Sequence, residues 1–132
     1  MLLFLDTVNN HKATVAVIEG RKILSRLSFK VNRDISEKLL PAIKRMLSRH
    51  GMDFHDISRI AVVSGPGSYT GVRTGVAIAN ALAYALKKPI LGLRTDQVPP
   101  SLSQLFAFNF GQPPVLPLYQ SPPHITKPKK RF

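Results

Sequence analysis

Two places in this sequence carry residues that could do chemistry: Asp6, and the run Gly65-Pro66-Gly67-Ser68-Tyr69-Thr70-Gly71-Val72-Arg73-Thr74-Gly75. The run joins a strand-like apolar stretch to the start of a helical pattern, a junction where free backbone N–H groups can hold an anion. It is not a Walker A loop, because no Gly-Lys-Ser or Gly-Lys-Thr follows at the required spacing. Nor is it Gly-x-Gly-x-x-Gly, since after Gly65-x-Gly67 the required position holds Thr70, one residue short of Gly71. Two readings stay open: a phosphate cradle, or a tight turn with close helix entry. Ser68 and Thr70 are nucleophiles only beside a general base, and none is evident. Asp6 ends the first apolar run. A cation site there needs a second acidic residue in suitable context, and none is visible, so Asp6 reads as a turn former. His11, His50, His55 and His124 are scattered without a His-x-x-x-His pair, and Cys is absent, so no metal site is expected.

The bulk of the chain sets the frame for these residues. Its 132 residues suit one domain, and a hydrophobic fraction of 44% predicts a packed core. The net charge of +12 fits a polyanionic partner, RNA above all, an acidic protein surface, or simply a solvated basic surface with a basic tail. Met1 to Asp6 lacks the basic start and the long apolar run of a signal peptide. The apolar stretch from Gly75 to Leu86 falls short of the ~20 residues that cross a bilayer. The expectation is a cytoplasmic protein without a membrane association.

Leu2 to Leu5, Ala13 to Ile18 and Ile23 to Val31 read as three strands of an antiparallel meander. Asp34 with Glu37 resembles a capping box, and Ile35, Leu39, Leu40, Ile43, Met46 and Leu47 fall at helical spacing up to Gly51. Pro41 argues for a helix start nearer Glu37. Ile57 to Ser64 is a fourth strand, a long helix follows from about Gly71 to Lys87, and Pro89 to Leu93 is a fifth strand. The order β-β-β-α-β-α-β implies a mixed sheet, because a helix between two strands favours a parallel crossover. A short helix capped by Ser101 is expected over Leu102 to Phe110. The domain is therefore placed at 1–110, and the proline-rich, basic stretch 111–132 is an extended tail that docks on the domain or on a partner.

The second helix is apolar nearly all round and rich in small residues: Gly71, Gly75, Ala77, Ala79, Ala81, Ala83 and Ala85. Such a helix must be covered on more than one side, by the rest of the chain or by another protein. Gly65 to Gly75 followed by Val76-Ala77-Ile78-Ala79-Asn80-Ala81-Leu82-Ala83 resembles the signature of the TsaB (YeaZ) family. Leu3-Phe4-Leu5-Asp6-Thr7, Ser36-Glu37-x-Leu39-Leu40-Pro41-x-Ile43 and the terminal Pro117-Leu118-Tyr119 are similar to further elements of that family.

The resemblance implies a single actin-like (ASKHA, ribonuclease-H-like) lobe, shortened from the family's usual two. It implies a non-catalytic scaffold that binds and activates the TsaD-like threonylcarbamoyltransferase acting on adenosine 37 of tRNA. A TsaE-like ATPase would be a further partner, with ATP and Mg²⁺ belonging to the partner subunits and no cofactor here. Homodimerisation through the same helices is a further expectation. Carried over, helices 36–50 and 70–86 present Leu39, Ile43, Met46, Tyr69, Val72, Arg73, Gly75, Val76, Ala79, Asn80 and Ala83 to the partner. Lys127, Lys129, Lys130 and Arg131 would contact RNA. The competing readings are a stand-alone basic tRNA-binding module, expected to bind with steep salt dependence, and a minimal actin-like ATPase.

Overall fold

The β-branched and aliphatic runs near the N-terminus pair with one another before any helix is needed. In the computed structural model, which describes residues 1–118, strand β1 (Leu2–Asp6) pairs antiparallel with β2 (Lys12–Glu19). β2 pairs antiparallel with β3 (Lys22–Lys30), with a bulge at Val17/Ile18. Helix α1 (Ile35–Arg49) then crosses over, so β4 (Arg59–Gly65) returns parallel to β1. Helix α2 (Tyr69–Leu86) crosses over again and β5 (Ile90–Arg94) lies parallel to β4. The five-stranded sheet has the order β3-β2-β1-β4-β5, the mixed architecture expected of one actin-like lobe.

Both helices cover one face. Leu3, Leu5, Val15, Val17, Ile60 and Val62 point from the sheet into a core closed by Ile35, Leu39, Ile43, Met46 and Leu47 of α1 and by Val72, Val76, Ala79 and Ala83 of α2. The alternate residues Leu2, Phe4, Ala16, Ile18, Ala61 and Val63 form a second core on the opposite face, closed by Leu102 and Leu105. Full burial of one Leu or Ile is worth roughly 1.5–3 kcal/mol, so these two layers carry the fold.

Three local expectations are corrected. Pro41 lies inside α1, which starts at Ile35; the proline is on the exposed side, where the carbonyl left unpaired can reach water. The Asp34/Glu37 capping box does not form. Asp34 instead accepts from Asn32 N–H at 2.8 Å and pairs with Lys38 at 3.0 Å. The segment after β5 is a 3₁₀ helix, Leu102–Ala107; the Ser101 hydroxyl bonds Ser103 rather than the helix start. Arg59 lies over the rings of Phe106 and Phe110, 4.7 and 5.1 Å from their centroids, and tethers the end of this segment to the start of β4.

Candidate functional site

The glycine loop between β4 and α2 clasps the turn after β1. Thr7 is buried and donates from Oγ1 to the carbonyl of Gly71 at 2.6 Å. Its side chain sits in a notch of two glycines one helical turn apart. A Cβ on Gly71 would strike the Thr7 carbonyl oxygen, and one on Gly75 would strike Thr7 Oγ1. Gly67 leaves room for Val8, whose carbonyl accepts from Ser68 N–H at 2.8 Å. Ser68 is the N-cap of α2: its Oγ accepts from Gly71 N–H at 3.3 Å and its carbonyl from Val72 N–H at 2.8 Å.

Of the two readings of this loop, the geometry displays the tight turn with close helix entry. The main-chain donors of Ser68, Gly71 and Val72 already have partners within the chain. A cleft of about 290 Å³ does open beside the loop, with Asn9, Asn10, Arg33, Ser68 and Thr70 on its polar side and Ala13, Val31 and Ile35 on its apolar side. No charged side chain with a free partner is buried in it.

Asp6 behaves as a turn former. Its carboxylate accepts from Val8 N–H at 3.2 Å. Burial raises its pKa above the ordinary carboxylate value, against the lowering effects of that hydrogen bond and of the charges on Lys12 and Arg26. Among the described residues no three His, Cys, Asp or Glu cluster in a way that could hold a metal ion.

The structure divides the residues expected at a partner interface. Leu39, Ile43, Met46, Val72, Gly75, Val76, Ala79 and Ala83 are buried in the chain's own core. This corrects their placement as presented surface: the large α1 side chains fill the core, and the small residues of α2 let that helix sit close on the sheet. Asn80 is half-buried and holds Val115 by two hydrogen bonds. Tyr69 and Arg73 are on the surface.

The exposed side of α2 carries Arg73, Ala77, Ala81 and Ala85, with Thr74, Ile78 and Leu82 half-exposed along its margins. This row is offset by two residues from Gly75, Ala79 and Ala83, about 200° round the helix. Tyr69 and Tyr84, 56% and 63% exposed, stand at its two ends. Sequence reasoning missed Ala77, Ala81 and Ala85 as a face, although their four-residue spacing was available. On α1, Leu40 is 42% exposed beside Ser36, Glu37 and Lys44. An apolar platform of small side chains is suited to receiving another helix at close range. It supplies no activated nucleophile.

A second surface has a different character. Lys30 of β3 and Lys38 and Arg45 of α1 line a groove of about 440 Å³ together with Phe29, Pro41 and Glu37. Tyr119, His124 and the basic residues Lys127, Lys129, Lys130 and Arg131 lie outside the described residues. No helix among the described residues is long and apolar enough to cross a membrane.

Residues 29–118, more than half of the chain, match the family described as TsaD, tRNA N6-adenosine threonylcarbamoyltransferase. Over 95 residues, 72% of this chain and 44% of the relative, the sequence is 35% identical to the tRNA threonylcarbamoyladenosine biosynthesis protein TsaB of Buchnera aphidicola subsp. Schizaphis graminum. Over 62 residues, 47% of this chain and 18% of the relative, it is 39% identical to a tRNA N6-adenosine threonylcarbamoyltransferase of Moorella thermoacetica. Among solved structures, YeaZ from Pseudomonas aeruginosa superposes with a TM-score of 0.65 at 31% identity, covering 70% of this chain and 43% of that one. The chain thus spans less than half the length of each of these proteins.

Proposed function

Because the chain belongs to the TsaB (YeaZ) family, we propose that it serves tRNA threonylcarbamoyladenosine formation as a non-catalytic subunit. It binds a TsaD-like threonylcarbamoyltransferase and holds it in its active arrangement. The observation that carries this reading is the exposed row Arg73, Ala77, Ala81 and Ala85 on α2, a small-residue helix face that no other described element covers. A helix of the partner can approach such a face closely enough for backbone-to-backbone packing, and Arg73 at its edge can meet a partner carboxylate. The same face offers a homodimer contact when the transferase is absent.

The proposed division of chemistry is in keeping with the surroundings of Asp6. Asp6 is engaged by Val8 N–H, and among the described residues no three His, Cys, Asp or Glu gather into a group that could hold a metal ion. In this reading ATP and Mg²⁺ act on the transferase and on a TsaE-like ATPase, the complex works in the cytoplasm, and tRNA is met through the complex. The groove of Lys30, Lys38 and Arg45 favours a second reading, a basic module that binds tRNA by itself through phosphate contacts.

A reconstituted modification assay tests the proposal. Threonylcarbamoyladenosine formation by the transferase and ATPase of the same organism should depend on adding this chain, and Ala81→Arg should abolish that dependence. Full activity without the chain, or full stimulation by Ala81→Arg, would contradict it.

A further inference from the structure

The stretch after the 3₁₀ segment returns to the lobe and lies in a channel between β5 and α2. Gly111 and Ile90 exchange two main-chain hydrogen bonds, Ile90 N–H to Gly111 O at 2.8 Å and Gly111 N–H to Ile90 O at 2.9 Å. Asn80, on the flank of α2, donates from Nδ2 to Val115 O at 2.9 Å and accepts at Oδ1 from Val115 N–H at 2.7 Å. Leu118 N–H donates to Ser64 O at 2.7 Å. Two glycines shape the floor. A Cβ on Gly92 would come within 2.5 Å of Val115 Cγ1, and a Cβ on Gly65 would strike the Leu118 carbonyl oxygen.

Main-chain contacts dominate this list. Prolines at 113, 114 and 117 carry no N–H, so these three positions need no partner for a main-chain donor. Burial alternates: Pro113, Val115 and Pro117 are half-buried towards the lobe, while Gln112, Pro114, Leu116 and Leu118 are exposed. This is how a peptide is read when it is added to a sheet edge, with the backbone giving affinity and alternate side chains giving selectivity. Its side chains stay at the rim of the core: Val115 packs on the flank of the main cluster, while every fully buried residue among those described lies between Leu2 and Leu105.

We infer that the channel between β5 and α2 is a peptide-recognition site for extended, proline-interrupted segments, and that residues 111–118 are its tethered ligand rather than an integral part of the lobe. Asn80 is the reading residue: among the described residues its side chain alone holds both the N–H and the C=O of one residue of the segment, Val115. Gly92 selects an aliphatic residue of valine size at the position it faces, and the carbonyl of Ser64 fixes the register three residues further on. When the segment leaves, the edge of β5 at Ile90 and the Asn80 amide are open to another segment of the same kind. The inference concerns the chain alone and does not rest on the proposed transferase partner.

The test uses the full chain carrying a protease site inserted after Phe110. It is folded first and cut afterwards. The fragment 111–132 should stay bound to the cut lobe, and a synthetic peptide of residues 111–118 should displace it. Asn80→Ala in the same chain should weaken retention roughly tenfold or more, because two hydrogen bonds to the main chain of Val115 are lost. A fragment that leaves at once from a folded lobe would overturn the inference. So would a lobe that unfolds on cutting, or a fragment that is retained but never displaced, because each makes the segment either a non-binding tail or a fixed structural strand.

Discussion

Thr7 and the two glycines beneath it decide how α2 meets the sheet. A helix interior normally loses about 1 kcal/mol for each glycine relative to alanine. Gly71 and Gly75 accept that cost because the Thr7 carbonyl and hydroxyl occupy the space a Cβ would take. Gly75→Ala should therefore destabilise the fold by roughly 1–3 kcal/mol despite its better helix propensity. Thr7→Ala in the same chain should recover much of the loss, since it removes the clashing hydroxyl. Thermal unfolding of the two single variants and the double variant checks this, and strict additivity would refute it. Asp6 gives a pH-dependent prediction. Burial raises its folded pKa above the unfolded value, so the folded chain holds the proton more tightly. The charged carboxylate thus costs stability above that folded pKa, and the cost fades as pH falls through about 4. Asp6→Asn, which keeps an acceptor for Val8 N–H, should unfold at a higher temperature than the parent at pH 7, with the gap closing towards pH 4. A less stable Asn variant at pH 7 would show that the charge on Asp6 is favourable. The sequence marked the glycines as a turn and close entry, yet it could not assign Thr7 as the residue they admit. That pairing spans 64 positions, and only the parallel return of β4 beside β1 brings it about.

At the scale of elements, all five strands and both long helices were legible in order, because strand alternation and helical spacing are local signals. Their outward faces were not. The sequence shows that α2 is apolar on several sides, but which side meets the sheet depends on the notch that Thr7 enters. That contact rotates Gly75, Ala79 and Ala83 inwards and leaves Ala77, Ala81 and Ala85 outside. The short helix after Ser101 was legible, but its 3₁₀ form and its end at Ala107 were not, because Leu102 and Leu105 are three apart, a spacing that either helix type satisfies. The two sides of α2 should respond differently to a bulky charge. Gly75→Arg and Ala79→Arg should abolish folding, whereas Ala77→Arg and Ala81→Arg should leave the circular dichroism spectrum intact and shift the melting temperature by no more than a few degrees. Unfolding of the Ala77→Arg chain would mean that this row is covered within the protein itself.

At the scale of the whole molecule, the two exposed surfaces are separate in chemistry. The row on α2 is small and apolar, while the groove between β3 and α1 gathers Lys30, Lys38 and Arg45 around Phe29. The net charge of +12 fits a polyanion, an acidic partner or simply a solvated basic surface, and it does not say which surface would meet a partner. If the groove contributes to RNA binding, Lys30→Glu with Arg45→Glu should weaken tRNA association and flatten its dependence on salt by about two phosphate contacts, read from titrations at several salt concentrations. The central claim concerns the other surface: this lobe acts by docking α2 on a TsaD-like subunit. The most direct measurement is size-exclusion chromatography with light scattering on the chain mixed with the TsaD-like protein of the same organism. The account predicts a one-to-one complex that Ala77→Arg or Ala81→Arg abolishes while each variant remains folded. Separate elution of the two proteins, or a complex indifferent to both substitutions, would contradict it.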